Sequence, residues 1–342
     1  MQLKRHSCFQ PLIMKSDTQI NSKCTILRIG CRMSAIWEKL QDILKQHNCS
    51  AAIVSVNHLM DLEEDIRGFL TKRLIDKEFY NERLNHFKFE VPEDLPNAQS
   101  IIVAAFPRPQ SQATFTFRGK KQSLIIPPTY TAYNEVRKNI HSIIKQTLET
   151  EGYKIGNPVL PFKLLAVRSG LGEYGRNNIC YVPRMGSFLQ LVAVYSDLPC
   201  KNDKWREAKN MDACENCQLC FKACPSNAIA QDRFLLHAEK CIVYHNEKEG
   251  HIPFPEWMDK SWHNCLIGCL HCQRVCPKNR DFINWIGEKE EFTEEETSLL
   301  LQGVTLDQTD VETRKKLENL SLDDCLGYLP RNLGVFFGKS LI

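Results

Sequence analysis

The stretch CENCQLCFKACP, residues 214–225, contains four cysteines in the spacing C-x2-C-x2-C-x3-C, followed by proline. This spacing is typical of bacterial ferredoxins, which bind [4Fe–4S] clusters through cysteine thiolates. Three thiolates at every third position wrap one cluster in a tight loop. The fourth, before proline, ligates the other cluster of a two-cluster protein. The stretch therefore predicts a second cysteine run elsewhere in the chain.

The second run is CLHCQRVCP, residues 269–277, which has the same ending but lacks the first cysteine. We expect Cys241 to replace the missing cysteine, and Cys265 is the alternative. Four-cysteine zinc sites also use C-x2-C pairs, but two reciprocal runs ending in C-x3-C-P favour iron–sulfur clusters. The first predicted cluster is ligated by Cys214, Cys217, Cys220 and Cys276, and the second by Cys241, Cys269, Cys272 and Cys224.

The composition is that of an ordinary globular chain, with 342 residues of which 43% are apolar and 25% charged. Because there are 16 cysteines and no export signal, metal binding is favoured over disulfides. A net charge of +3 singles out neither nucleic acid nor membranes as partners. No stretch approaches the roughly 18 apolar residues that a membrane-spanning helix needs. We therefore expect a cytoplasmic protein with no membrane partner.

Changes in composition divide the chain into four parts. Residues 1–32 are basic, and we expect a disordered extension or a misassigned start rather than a targeting peptide. Residues 33–199 are predicted to form an α/β domain, 200–285 the cysteine-rich domain and 286–342 a helical tail, with a capping box at Thr293 and Glu296. The predicted elements are helices at 36–46, 61–79, 135–152 and 162–168, strands at 51–56, 100–106, 179–182 and 188–195, and a hairpin at 114–126.

A glycine loop, SGLGEYGRNN at residues 169–178, matches the pattern G-x-G-x-x-G of dinucleotide-binding proteins. In those proteins the loop follows a strand and opens a helix. Here the segment after it, residues 179–182, is strand-like and ends at Pro183, so the nicotinamide interpretation is disfavoured. The glycines instead predict a tight backbone turn that a large, flat or anionic group can approach closely.

Together these motifs resemble the epoxyqueuosine reductase family and its relatives, among them double-cluster proteins of anaerobes and, more distantly, reductive dehalogenases. The resemblance rests on SGLGEYGRN at 169–177, MGS at 185–187, SDL at 196–198 and the two cysteine runs, and it covers roughly residues 50–285. It implies an α+β fold, in which a nitroreductase-like α/β cobalamin-binding domain precedes a two-[4Fe–4S] ferredoxin-like domain and a short helical tail. It also implies that the loop binds the corrinoid, through Gly170, Gly172, Gly175, Arg176 and Asn177.

The resemblance further implies an oxidoreductase that passes electrons through two [4Fe–4S] clusters to a base-off cobalamin, for a reductive deoxygenation. The implied substrate is epoxyqueuosine in tRNA, and the implied electron donor is a low-potential protein such as flavodoxin or ferredoxin. The chain has no D-x-H-x-x-G motif, so no histidine is indicated as the lower cobalt ligand. The alternative is a cluster-only electron-transfer protein or corrinoid-protein activase without bound cobalamin.

The chain departs from the family at two places. Family members carry an aspartate as proton donor in a segment like Y-x-x-x-x-D-Y-H, and counting from Tyr130 places Glu135 at the acid position, without the Y-H after it. Glu135 and Asn134 are therefore the catalytic candidates; the alternative is a helix-start glutamate capped by Asn134. The tail motif LPRNL at 329–333 resembles the point where longer members begin helical repeats for tRNA, so tRNA binding would rely on the core domain.

Overall fold

The computed structural model describes residues 34–201 and 203–338. The predicted extension at 1–32 lies outside the described residues. Within them, the helices are α1 (34–46), α2 (Leu59–Thr71), α3 (Lys77–Arg83), α4 (Tyr133–Glu149), α5 (Phe162–Arg168), α6 (Leu219–Ala223), α7 (Ile242–Asn246), α8 (His271–Arg274), α9 (Glu294–Gln302), α10 (Val311–Leu320) and α11 (Leu329–Phe336). The strands are β1 (Ser50–Ser55), β2 (Ser100–Pro107), β3 (Gln110–Phe117), β4 (Lys120–Ile126), β5 (Ile155–Gly156), β6 (Glu173–Tyr174), β7 (Cys180–Tyr181), β8 (Leu189–Ser196) and β9 (Ile286–Phe292).

The central sheet has the strand order β1-β2-β8-β5, with antiparallel neighbours throughout. Successive side chains of a strand point to opposite faces. In β2, Ile101 and Val103 pack on one face with α2 and α5, while Ile102 and Ala104 pack on the other with α1 and α4. Because helices cover both faces, β2 is apolar along most of its length instead of alternating between apolar and polar residues.

A second sheet has the order β4-β3-β9 and joins distant parts of the chain. Its hairpin turns at Arg118 and Gly119, both with positive φ, as two-residue hairpin loops require. β9 pairs in parallel with β3. The prediction that residues 286–342 form only helices is therefore wrong for β9. The helices α9–α11 pack against the same sheet, and their capping box at Thr293 and Glu296 is confirmed.

The cysteine-rich segment consists of short helices joined by turns, since its cysteines lie in loops and at helix ends. The charged helix predicted at 61–79 is two helices, α2 and α3, because the chain breaks at Arg73, whose φ is +54°. No helix among the described residues is both long and apolar enough to cross a membrane.

Candidate cluster and cofactor site

The structure gathers the first predicted cysteine set, although Cys276 is more than fifty positions from its three partners. Burial, together with the nearby thiols of Cys214, Cys217 and Cys276, raises the pKa of the Cys220 thiol to about 11. Burial also raises the pKa of Cys214, with a second contribution from Cys276. The mutual effects place the cysteine before Pro277 beside the first run, as the reciprocal arrangement predicts.

The second set is gathered in the same way. Burial raises the pKa of Cys272 well above its usual value, and Cys269, Cys241 and Cys224 each raise it further. Cys224 also raises the pKa of Cys241. Cys265 is fully buried and acts on Cys269. These neighbours favour Cys241 over Cys265 as the fourth member of the set, and the ligand assignment stays a prediction.

The cysteines of the second set come from separate segments of the chain. Cys241 and Cys272 are half-buried. Within the described ranges, no three His, Cys, Asp or Glu side chains are gathered as a site for a single metal ion. Four cysteine thiolates are the donor set that a [4Fe–4S] cube requires.

Backbone N–H groups point at several of the thiols. Cys241 stands at the N-terminus of α7, where the backbone N–H groups of Val243 and Tyr244 oppose the rise that burial causes in the pKa of its thiol. The His271 N–H likewise opposes the rise in the pKa of Cys269. Hydrogen bonds to sulfur favour the charged thiolate and influence the reduction potential of a cluster. The local chain is therefore arranged for thiolate ligands.

The glycine loop packs tightly against its own β7 strand. A Cβ on Gly172 would lie 2.6 Å from Cys180 Sγ and 2.9 Å from the Tyr181 carbonyl oxygen. A Cβ on Gly175 would lie 2.6 Å from the Tyr181 ring. Both glycines are thus required by packing within the chain. Gly170, with a φ of +78°, lines a cavity of about 340 Å³ on another side of the loop.

Arg176 connects the glycine loop to the first cysteine set. Its guanidinium donates to the carbonyl oxygens of Cys214 at 2.7 Å, Glu215 at 3.2 Å and Gln231 at 3.1 Å. Its backbone N–H donates to the Cys214 sulfur and opposes the burial that raises the pKa of this thiol. All of these contacts are with the cysteine-rich domain. The corrinoid binding that the resemblance implied for Arg176 stays a prediction.

Asn177 reaches the second cysteine set. Its side chain donates to the Tyr181 hydroxyl at 3.0 Å, and it also hydrogen-bonds the Cys272 sulfur. Tyr181 in turn hydrogen-bonds the Cys276 sulfur, and burial raises the pKa of this tyrosine strongly. The loop therefore contacts both cysteine sets. Beyond the order of the motifs, no signal in the sequence predicts this contact.

The two catalytic candidates lie at the protein surface. Glu135 and Asn134 are exposed on the first turn of α4, and the Asn134 amide donates to Asp324 at 3.2 Å. The residue that caps this helix is Ala132, with a φ of +48° and no side-chain hydrogen bond, so the expectation that Asn134 caps it is wrong. An exposed carboxyl group does not provide the enclosed proton donor that the prediction required.

Sequence reasoning did not single out one group of charged and hydroxyl side chains, which interact with Cys241; we call the region between them the internal cleft. Lys163 is exposed and Tyr130 is half-buried, and both interact electrostatically with Cys241. The Tyr130 hydroxyl donates to Glu247, which also pairs with Arg83 at 3.2 Å. The cleft thus places a cation and a hydroxyl beside the second cysteine set.

The remaining cavity of note lies elsewhere. It measures about 710 Å³ between α3 and the segment 233–239, and none of the predicted site residues lines it. The chemistry suggested by the cysteines therefore does not belong to this surface cavity.

The cysteine-rich segment defines the class of protein. Residues 213–279 match the family described as 4Fe-4S double cluster binding domain. All eight predicted ligands fall within these residues. The chain is thus a mixed α/β protein with a double-cluster iron–sulfur domain and a helical C-terminal part.

Curated proteins show similarity over about half of the chain. The chain is 28% identical over 195 residues to epoxyqueuosine reductase of Staphylococcus aureus, a match that covers 54% of this chain and 50% of that protein. It is 31% identical over 208 residues to epoxyqueuosine reductase of Francisella cf. novicida, covering 55% of each. The chain therefore resembles epoxyqueuosine reductases, and it spans about half the length of these curated relatives.

Solved structures extend the likeness of fold to most of the chain. An epoxyqueuosine reductase crystallised with an epoxyqueuosine-modified tRNA stem loop superposes with a TM-score of 0.62 at 19% identity, covering 89% of this chain and 81% of that one. The enzyme from Streptococcus thermophilus gives a TM-score of 0.59 at 18% identity, covering 87% and 79%. The predicted fold class is thereby confirmed.

Proposed function

We propose that this protein is an iron–sulfur oxidoreductase of the epoxyqueuosine reductase type, which delivers electrons through two clusters to a substrate site in the internal cleft. The observation that carries the proposal is the pair of reciprocal cysteine sets, the second of which borders a cleft with a lysine and a tyrosine. The similarity to epoxyqueuosine reductases supports the reaction class.

The depth of the two cysteine sets supports an electron route. Cys214 and Cys217 have exposed neighbours along the chain, whereas Cys241 and Cys272 stand close to the buried residues Ile242 and Leu270. When bound, [4Fe–4S] clusters supply one-electron transfer at potentials as low as about −700 mV. Electrons from a low-potential donor such as flavodoxin or ferredoxin would enter at the first set and leave at the second.

The internal cleft is the place on this chain that suits a corrinoid. Lys163 is exposed and Tyr130 is half-buried, and both interact electrostatically with Cys241, so both are available to a ligand bound there. His245 and His263 are both buried: the His245 ring hydrogen-bonds the Glu239 carbonyl oxygen at 2.8 Å, and the His263 ring packs edge-on against Phe254. A reduced corrinoid would supply a cobalt nucleophile for deoxygenation.

Deoxygenation of an epoxide to an alkene consumes two electrons and two protons and releases water. Lys163 and the Tyr130 hydroxyl are the proton-bearing groups of the cleft, and Glu247 connects Tyr130 to Arg83. These residues can orient a substrate oxygen and hold a proton near it. Epoxyqueuosine in tRNA is the proposed substrate, since one structurally similar reductase was crystallised with such a stem loop.

The first experiment is metal analysis with visible spectroscopy on protein purified without oxygen in the presence of hydroxocobalamin. We expect about eight irons per chain, four per cluster, and one cobalt. The second is conversion of epoxyqueuosine in tRNA from a strain that lacks its own reductase. Iron without retained cobalt would leave the alternative of a cluster-only electron-transfer protein or corrinoid-protein activase. Zinc in place of iron would refute the proposal.

A further inference from the structure

The cavity between α3 and the segment 233–239 takes no part in the proposed reaction. Its volume of about 710 Å³ lies within the range of small-molecule sites, which is roughly 300–1,000 Å³. One part of its lining is apolar or aromatic and consists of the half-buried residues Leu70, Ile75 and Tyr80. Side chains of this kind pack against a flat apolar group such as a ring system. The cavity thus has the size and the apolar surface that a small ligand requires.

Two cations of the lining carry charges that the chain does not pair. Arg73 and Lys77 are exposed, and within residues 34–201 and 203–338 neither forms an ion pair. Arg73 stands at the break between α2 and α3, and Lys77 is the first residue of α3. The turn between the two helices therefore brings both charges to the cavity, where a ligand can use them.

A third cation of the lining, Arg233, is held in place by the surrounding chain. Its Nη2 donates to the Leu74 carbonyl oxygen, and its Nη1 lies 2.9 and 3.2 Å from the two ring nitrogens of His237. Because a carboxylate only accepts, the His237 Nδ1 donates to Glu239 at 3.1 Å and Nε2 is left to accept from Arg233. The Arg233 Nε is buried and has no hydrogen-bond partner among the described residues, so the chain itself leaves this donor unsatisfied.

The two carboxylates of the lining are already engaged. Asp76 accepts from the Phe79 N–H at 2.9 Å at the start of α3, and Glu239 accepts from His237. Three cations minus two carboxylates leave the lining with a net formal charge of +1. Guanidinium and ammonium groups are the usual phosphate-binding groups of proteins. Because an extended RNA backbone is bound through a larger set of cations, this lining favours one small anion.

We propose that this cavity binds a mononucleotide, whose phosphate contacts Arg73, Lys77 and Arg233 while its base packs against Ile75 and Tyr80. Since Arg73 and Lys77 belong to the α/β domain and Arg233 to the cysteine-rich domain, the ligand bridges the two domains. Binding is noncovalent and involves no electron transfer. The inference goes beyond the proposed function, because it requires neither the clusters nor a corrinoid nor a tRNA substrate.

The test is isothermal titration calorimetry of the iron-loaded full chain with each common ribonucleoside monophosphate. The matching nucleosides, inorganic phosphate and an unmodified tRNA stem loop are titrated separately. Lys77→Met and Arg73→Asn each remove one charge, and asparagine is chosen because it tolerates the φ of +54° at position 73. The matched control is Lys72→Met, which removes the exposed lysine beside Arg73 that does not line the cavity. Iron content and circular dichroism confirm that each variant is folded.

We expect a mononucleotide to bind more tightly than its nucleoside and more tightly than inorganic phosphate, because both parts of the lining contribute. Lys77→Met and Arg73→Asn should each weaken binding by about tenfold or more, the factor expected for one hydrogen bond to a charged group. Lys77→Arg should keep most of the affinity, and Lys72→Met should keep all of it.

The inference is overturned if no mononucleotide binds, if only the RNA stem loop binds, or if Lys72→Met weakens binding as much as Lys77→Met. Nucleotide binding that neither Lys77→Met nor Arg73→Asn weakens would place the ligand elsewhere and overturn it as well. Protein that binds the nucleotide through these residues but reduces no substrate supports this inference while the proposed function fails.

Discussion

Replacing Arg176 by methionine tests what the glycine loop does. The guanidinium makes three hydrogen bonds to backbone carbonyls, of which the one to Cys214 is partly buried and the other two are exposed. Hydrogen bonds to charged groups contribute about 1.5–3 kcal/mol when buried, and exposed ones contribute less because water replaces them. We therefore expect a loss of about 3 kcal/mol in the free energy that holds residues 214–215 in place.

Three kilocalories correspond to about a 150-fold change in an opening equilibrium, since about 1.4 kcal/mol is a factor of ten. If local opening of the first cysteine loop limits iron loss, Arg176→Met should release iron to a chelator up to about 150-fold faster than wild type. The assay is the decay of visible absorbance with excess chelator and no oxygen. Arg176→Lys keeps the positive charge but loses the several N–H donors of the guanidinium, so it should release iron at a rate between those of wild type and Arg176→Met.

The matched control is Arg280→Met, which removes an exposed arginine four residues after Cys276. It should change the rate by no more than about twofold, as expected for a surface substitution. Equal rates for Arg176→Met and Arg280→Met would refute the reasoning. Normal iron retention with a selective loss of cobalt from Arg176→Met would instead support the corrinoid contact that the family resemblance implied.

Three further outcomes are expected. Gly172→Ala should cost about 1–3 kcal/mol in denaturant unfolding, because its Cβ would lie 2.6 Å from Cys180 Sγ; an unchanged midpoint would contradict the tight packing. Cys241→Ser should halve the iron content whereas Cys265→Ser should not, and the reverse result would exchange their roles. Burial raises the pKa of Glu296, but hydrogen bonds from Lys316 and the Thr293 N–H hold it below its usual value of 4.5. The stability advantage of wild type over Glu296→Gln should therefore be constant above pH 4.5 and disappear as the pH falls further; a constant difference at all pH values would argue against it.

The sequence by itself determined the elements whose signals are local. Cysteine spacing is one such signal, because three ligands in one tight loop need a fixed separation along the chain, and the reciprocal sets were predictable from it. The apolar run of β2, the hairpin around Gly119 and the capping box of α9 are equally local. The sequence also predicted that the dinucleotide interpretation fails, because a strand-like segment follows the glycine loop; the structure has the strand β7 there rather than a helix.

Contacts between distant segments were decided by the tertiary structure. The parallel pairing of β9 with β3 joins residues far apart in the chain, and the sequence of β9 has too little apolar alternation to predict it. The exposure of Glu135 depends on which face of α4 meets the sheet. The same holds for the contacts of Arg176, because burial and charge at one position are set by groups from other elements.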